Sequence, residues 1–302
     1  MINLSTGAFY RRANQQMGDL RSQANDLQNQ VSTGTRLSRS SDDPVAAARM
    51  RTLARDERLA SVDQRNSDLA QRDLKLTDGA VDSVATIIIR AKELATQAAN
   101  GTLSVEQRAS VGAEIESLRN NLLQLANGRD AAGHALFGGQ ASGAAYEEIA
   151  GVVTYIGTAG ANPIDLGDGQ AVTPALTGPE VFNFEENGAA TDLFVTLAAL
   201  STALQTDTDA GGASRTALGS LDLALDKVTS SQTITGTRMA WVELMDDRRA
   251  TTGEQLADEQ VAVGGADLAT VLTKLQGIST VLEASQASFV RVSGLSLFNQ
   301  LR

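Results

Sequence analysis

The chain has 302 residues with no cysteine, one histidine, one tryptophan and only 4% aromatic residues. Disulfide and thiol chemistry are thereby excluded, and a zinc site or a Ser-His-Asp triad would have to be built on His134 alone. The formal charge of -11 resides in the middle of the chain, where residues 130–214 hold 11 acids and neither lysine nor arginine. Such an acidic, solvated segment argues against nucleic acid, whose phosphates need clustered basic side chains.

The first element is a helix with a narrow apolar stripe. Tyr10, Ala13, Met17, Leu20, Ala24, Leu27 and Val31 follow one another in alternating steps of three and four, a heptad seam. It stops at "TGTRLSRSSDDP", where Gly34 breaks the helix, Asp43 stands at an N-cap position and Pro44 fits the first helical turn. Asp42 adds negative charge near the same helix start. The adjacent carboxylates Asp42 and Asp43 are read as a cap rather than an acid/base pair.

From Pro44 to about Asn100 the pattern is again helical, with a weak point at Gly79. Asn100-Gly101 is a stop signal. Ser104 and Gln107 form a capping-box pattern ahead of Val111, Ile115, Leu118, Leu122 and Leu125, and Asn127-Gly128 ends that helix. Between about Leu136 and Gly188 glycine recurs and three of the four prolines occur, Pro163, Pro174 and Pro179. The runs "GVVTYIG" (151–157) and "EVFNF" (180–184) are β-branched or aromatic between turn residues and are expected to be strands. Helix resumes near Asp192. After the loop "TDTDAGGAS", Leu218, Leu221, Leu225 and Val228 mark a long helix to about Ala262.

A second interruption, "VGGAD" with Gly264 and Gly265, precedes the last helix. Its stripe of Leu268, Val271, Leu275, Ile278, Leu282, Ser285, Phe289 and Val292 has the same alternating steps. Each terminal seam is roughly 30–40 Å long at 1.5 Å per residue. Two stripes of one kind and one length, each set off by a joint, predict an antiparallel terminal pair. The expected fold is mainly α with a small β insert, in a nested order. Residues 1–43 and 263–302 form coiled-coil arms and joints, 44–135 and 192–262 an inner helical bundle, and 136–191 a β-rich outer insert.

No arrangement of catalytic groups can be assembled. "GGQASG" (138–143) lacks the Gly-Lys-Ser/Thr of a phosphate loop, and His134 has no partner ligand at metal-binding spacing. An enzyme is not expected, and no cofactor or metal. No segment approaches the ~20 apolar residues that span a bilayer, and "MINLSTGAFYRRANQQ" has no apolar core ahead of a small-residue cleavage site. The expectation is a soluble protein with no membrane or nucleic-acid partner. If it leaves the cell, it does so without a standard cleaved signal. Two a/d stripes paired only with each other leave the other helix faces unburied, so the arms are expected to order fully when neighbouring subunits surround them.

"QVSTGTRLSRSSDDPVAAARM" resembles the N-terminal signature of flagellins, and "GGADLATVLTKLQGISTVLEASQASFVRVSGLSLFNQLR" resembles the matching C-terminal one. "HALFGGQ", "VVTYIGTAGANPIDLGDGQAV", "GPEVF" and the ending "LSLFNQLR" are similar to the hook-associated branch of that superfamily. The resemblance implies a structural part of the bacterial flagellum between the hook's adaptor ring and the filament. Its implied partners are further copies of itself, the adjacent hook-associated protein, flagellin and a cytoplasmic export chaperone. It also implies passage through the flagellar type III channel. A filament flagellin with a small outer domain is the alternative.

Overall fold

A computed structural model describes residues 2–130, 133–206 and 209–300, without the side chains of residues 2–6 and 293–300. Its elements are α1 (Ile2–Thr33), α2 (Pro44–Ala99), α3 (Val105–Ala126), β1 (Tyr146–Ile149), β2 (Val152–Tyr155), β3 (Ile164–Gly167), β4 (Gln170–Val172), α4 (Gly178–Phe182), β5 (Asn183–Glu186), β6 (Ala189–Asp192), α5 (Leu193–Thr206), α6 (Ala210–Gly264) and α7 (Leu268–Gln300). They divide into two compact units, residues 1–58 with 251–302, and residues 59–250. The division falls within α2 and α6 rather than at the two joints.

Residues 59–250 hold the main core. Val81, Val84, Ile88, Leu94, Ile115, Leu122, Leu197, Leu200, Leu221 and Val228 are all buried in it. α3 starts as its sequence predicts: Ser104 Oγ accepts from the Gln107 N–H, and Gln107 Oε1 accepts from the Ser104 N–H at 2.9 Å. Gly112 lets α3 lie close to α5, since a Cβ there would fall 3.0 Å from the Ser201 carbonyl oxygen. α2 runs through Gly79 without a break, because burial of Leu74, Thr77, Val81 and Val84 on one face outweighs the ~1 kcal/mol propensity penalty of one glycine.

The β residues form three separate antiparallel hairpins, β1–β2, β3–β4 and β5–β6. Each turns on two residues with positive φ: Ala150-Gly151, Asp168-Gly169 and Asn187-Gly188. That geometry matches the right-handed twist of the flanking strands.

"EVFNF" differs from the expectation of one strand. Glu180 to Phe182 belong to the helical turn α4, and only Asn183 and Phe184 enter β5. Pro179 sits in the first turn of α4, and the Glu180 carboxylate accepts from the Thr177 N–H and hydroxyl, so helix-start chemistry prevails over β propensity. The expected loop at 206–214 is also shorter. α6 begins at Ala210, with Asp209 Oδ1 accepting from the Gly212 N–H at 2.9 Å. Asp207 and Thr208 of that loop lie outside the described residues.

Polar side chains tie the hairpins to the helices. Asn127, the last cap of α3, uses Oδ1 to accept from the Ala145 and Tyr146 N–H groups and Nδ2 to donate to the Tyr146 carbonyl, all at 2.9 Å. Arg119 is buried and donates to Glu116, to Glu148 on β1 and to the Gly151 carbonyl in the β1–β2 turn. Arg249 on α6 donates to Asp246, to Gln64 and Ser67 on α2, and to the Leu166 carbonyl on β3. Beneath the hairpins Phe137, Tyr146, Phe182 and Phe194 pack with ring centroids 5.1–5.5 Å apart, within the range of favourable edge and offset contacts.

Candidate functional site: the arm seam and its joints

Residues 1–58 and 251–302 have a different character. α1 and α7 run antiparallel: Tyr10 meets the Phe289 ring edge-on at 5.4 Å near one end, and Thr35 pairs with Gly265 at the other. Among the described side chains of α1, the shielded ones are Gly7, Tyr10, Ala13, Met17, Leu20, Ala24, Leu27, Gln30 and Val31, all half-buried. On α7, Val271 is buried and Leu275, Ile278, Leu282, Ser285, Gln286 and Phe289 are half-buried. A two-helix contact can shield one narrow stripe per helix, so burial here follows the 3-4 spacing with few additions.

The two ends of the α7 stripe depart from this. Leu268 and Val292 are 46% and 43% exposed. Leu268 opens α7 and has helix on one side only. Val292 lies three residues beyond Phe289, so in an antiparallel pair it faces the α1 position three before Tyr10. That position is Gly7, where even a Cβ would meet nothing within 4 Å. Other apolar side chains lie off the seam and are exposed: Phe9 50%, Val281 52% and Val290 67%.

The two joints meet each other. The Arg36 N–H donates to the Gly264 carbonyl at 2.8 Å and the Ala266 N–H to the Gly34 carbonyl at 2.9 Å, flanking the Thr35–Gly265 pair. The result is a short antiparallel clasp between segments far apart in sequence. Gly34 closes α1 at φ +68°, with its N–H donating to the Gln30 carbonyl at 2.9 Å. Gly265 is needed for space: a Cβ would lie 2.4 Å from the Val261 carbonyl oxygen. Gly264 faces the end of Met50.

Asp43 caps α2, its Oδ1 accepting from the Ala46 N–H at 3.0 Å. That bond, followed by the one from Arg36, holds its carboxyl below the usual carboxylate range. Asp42 acts differently from the expected dipole contact. Its Oδ2 accepts from the N–H of Arg39 and from the N–H and hydroxyl of Ser38, which folds the loop back on itself and lowers its pKa.

Three features escaped the sequence reading. Asp267 caps α7, accepting from the Ala269 and Thr270 N–H groups and the Thr270 hydroxyl, and its carboxyl is lowered by Thr270 first. An aspartate just before an apolar-periodic run was the available signal. Arg36 donates to both Asp43 and the Val263 carbonyl. Arg49 forms a two-pronged pair with Glu259 at 2.6 and 2.7 Å. The last two link residues more than 200 positions apart, which no local pattern announces. His134 is exposed, with Nδ1 3.4 Å from Asp130. Among the described residues no three His, Asp or Glu side chains gather into a metal site, and no helix is long and apolar enough to cross a membrane.

Antiparallel paired terminal helices with clasped joints, together with a helical unit that carries small hairpins, define a flagellin-like structural protein. In keeping with this, residues 4–142 match the bacterial flagellin N-terminal helical region. The flagellar hook-associated protein 3 of Escherichia coli is 30% identical over 291 residues, covering 89% of this chain and 90% of the relative. That of Salmonella typhimurium is 25% identical over 98% of this chain and 99% of its own. The chain belongs to the family of flagellar hook-associated protein 3 (FlgL). The solved flagellar junction protein FlgL from Legionella pneumophila shares the fold, with a TM-score of 0.61 and 17% identity over 72% of this chain and 99% of that one.

Proposed function

We propose that this chain is the structural subunit joining the hook-associated adaptor to the flagellar filament, and that its mechanism is helix packing. The observation that carries the reading is the one-stripe burial of α1 and α7. The arms shield only their shared seam, and Phe9, Val281 and Val290 stand exposed on other faces. Helices so narrowly covered gain most of their stability from further packing. Neighbouring arms, of the same chain and of the adaptor and filament proteins above and below it, supply the missing contacts. In this reading Tyr10 to Val31 and Val271 to Phe289 form the assembly seam, and the clasp at Gly34 and Gly265 holds the two joints to each other.

The chain reaches this position through the flagellar export channel, held beforehand by a chaperone, and ends outside the cell. A body with sparse aromatics and no disulfide has no covalent obstacle to unfolding for that passage. The work is mechanical rather than enzymatic.

A strain lacking this chain tests the reading. Hooks without filaments, with flagellin released to the medium, are the expected phenotype; filaments attached to the hooks of that strain would overturn it. A filament flagellin would instead dominate the protein of sheared flagella.

A further inference from the structure

Within residues 59–250, α2 presents a second seven-residue repeat on the side away from its core. Val62, Leu69 and Leu76 are 41%, 40% and 39% exposed, and Arg65 and Arg72, also exposed, alternate with them. The core side of the same helix is Ser67, Ala70, Leu74 and Thr77, all fully buried, so the ridge lies outside the stripe that packs into the core. It is an apolar line flanked by arginines, about 21 Å from Val62 to Leu76. It stands on a unit that otherwise carries 25 acids against 11 bases.

The same unit contains a groove of complementary character. Between the β5–β6 hairpin and α6 lies a cleft of about 540 Å³, lined by Phe184, Ala190 and Leu223 with Glu185, Asp226 and Lys227 at its edges. Leu223 is 40% exposed. Lys92 on α2 pairs with Asp222 on α6, which sets the Leu223 end of the groove level with residue 92, sixteen residues or about 24 Å along α2 from Leu76. Since α6 runs antiparallel to α2, the Ser230 end lies about eight residues, ~12 Å, from Leu76. Ridge and groove therefore do not overlap, and one copy can use both at once.

We propose that the α2 ridge docks into the β5–β6/α6 groove of a second copy of this chain, with Leu69 against Leu223 and Arg65 and Arg72 reaching Glu185 and Asp226. Opposite charges around an apolar centre fix the register. A contact between two different surfaces propagates head to tail and closes into a ring or continues as a helix. The inference rests on the reading that copies of this chain assemble side by side in the flagellum, and it names the surfaces by which their bodies meet.

The absence of native cysteine gives a clean test. Full-length chain carrying Leu69→Cys and Leu223→Cys is expressed in the deletion strain, and purified flagella are oxidised with copper phenanthroline. The expected result is a ladder of disulfide-linked multiples on a non-reducing gel. Dimers from Leu69→Cys alone, linkage to a different protein, or no ladder from flagella that contain the variant would each overturn the ridge–groove contact. Should the double variant not enter flagella, a charge exchange decides. Arg65→Glu with Arg72→Glu should reduce incorporation at least tenfold, and adding Glu185→Arg with Asp226→Arg should restore it; no restoration overturns the contact. Absence of the unaltered chain from flagella would instead overturn the assembly reading itself.

Discussion

One guanidinium nitrogen of Arg36 donates to the Asp43 carboxylate at 3.2 Å and to the Val263 carbonyl at 3.1 Å. The start of α2 and the end of α6 are thus held by the same side chain, next to the clasp formed by Gly34, Thr35, Gly264 and Gly265. The pair has a pH signature. Asp42 and Asp43 are held below their usual value by N–H donors, from Arg39 and Ala46 respectively. An unfolded chain binds protons there first, so this contribution is complete above the usual carboxylate range and is lost as pH falls through the lowered folded values. The amide resonances of Arg36 and Ala266 should hold their native positions at pH 5 and move below about pH 4. Arg36→Ala should bring that change to higher pH, and an identical titration in the variant would mean that the pair does not hold the joint.

Two glycine substitutions should act in opposite directions. A Cβ on Gly178 would lie 2.3 Å from Tyr146 Oη and 2.6 Å from its ring, within the buried aromatic cluster. Gly178→Ala should cost about 1–3 kcal/mol by overpacking. Gly79 is in mid-helix and nothing lies within 4 Å of its missing Cβ. Gly79→Ala should stabilise by up to about 1 kcal/mol. Urea unfolding of the two variants beside the parent measures both; a loss at residue 79 would show that the helix uses the flexibility of that glycine.

Asn127 is the next point of failure. Its amide satisfies two backbone N–H groups and one carbonyl where β1 leaves α3. Asn127→Ala leaves three backbone groups without partners and should cost about 1–3 kcal/mol. The loss should concentrate in faster amide exchange at Ala145 and Tyr146. Uniform exchange across the unit would instead mean that the side chain does not anchor the hairpin.

Asp192 offers a gain. It caps α5, its Oδ1 accepting from the Val195 N–H at 2.8 Å, yet burial pushes its carboxyl above the usual value. A carboxyl raised in the folded state opposes folding once ionised, so stability falls as pH rises through that range. Asp192→Asn keeps the cap acceptor and removes the charge. It should raise Tm at pH 7, with the advantage vanishing below pH 4. An equal advantage at both pH values would rule out the charge as its source.

Most of the stripe was legible because a two-helix contact shields one narrow band per helix, so 3-4 spacing translates into burial with few additions. Caps at Ser104 and Asp43 were legible because a cap is a local event. The clasp was not: Arg36 and Arg49 find partners more than 200 residues away. The α4 turn shows the same limit at short range, where Pro179 and the Thr177–Glu180 cap decide a five-residue helix against its β-prone composition. Leu268 and Val292 mark where periodicity outruns the actual contact, since the 3-4 stripe continues past the stretch that α1 shields. The α2 ridge is a pattern that sequence could have yielded. Arg65/Arg72 and Val62/Leu69/Leu76 repeat every seven residues, and only their exposure separates them from a core stripe.

Leu282→Asp tests the seam itself. Leu282 is half-buried between α1 and α7, and an unpartnered carboxylate there should cost roughly 1–3 kcal/mol in the free chain. The core of residues 59–250 shares no part of that seam, so its cooperative unfolding should be unchanged, while the arms become the first segments cut in limited proteolysis. In cells the penalty grows, because neighbouring subunits would enclose the charge further. The variant should be made and folded yet missing from flagella, and the cells should not swim. Arms as resistant as the body in the parent chain would argue that they are ordered without neighbours. Swimming cells with Leu282→Asp in their flagella would show that assembly does not run through this seam.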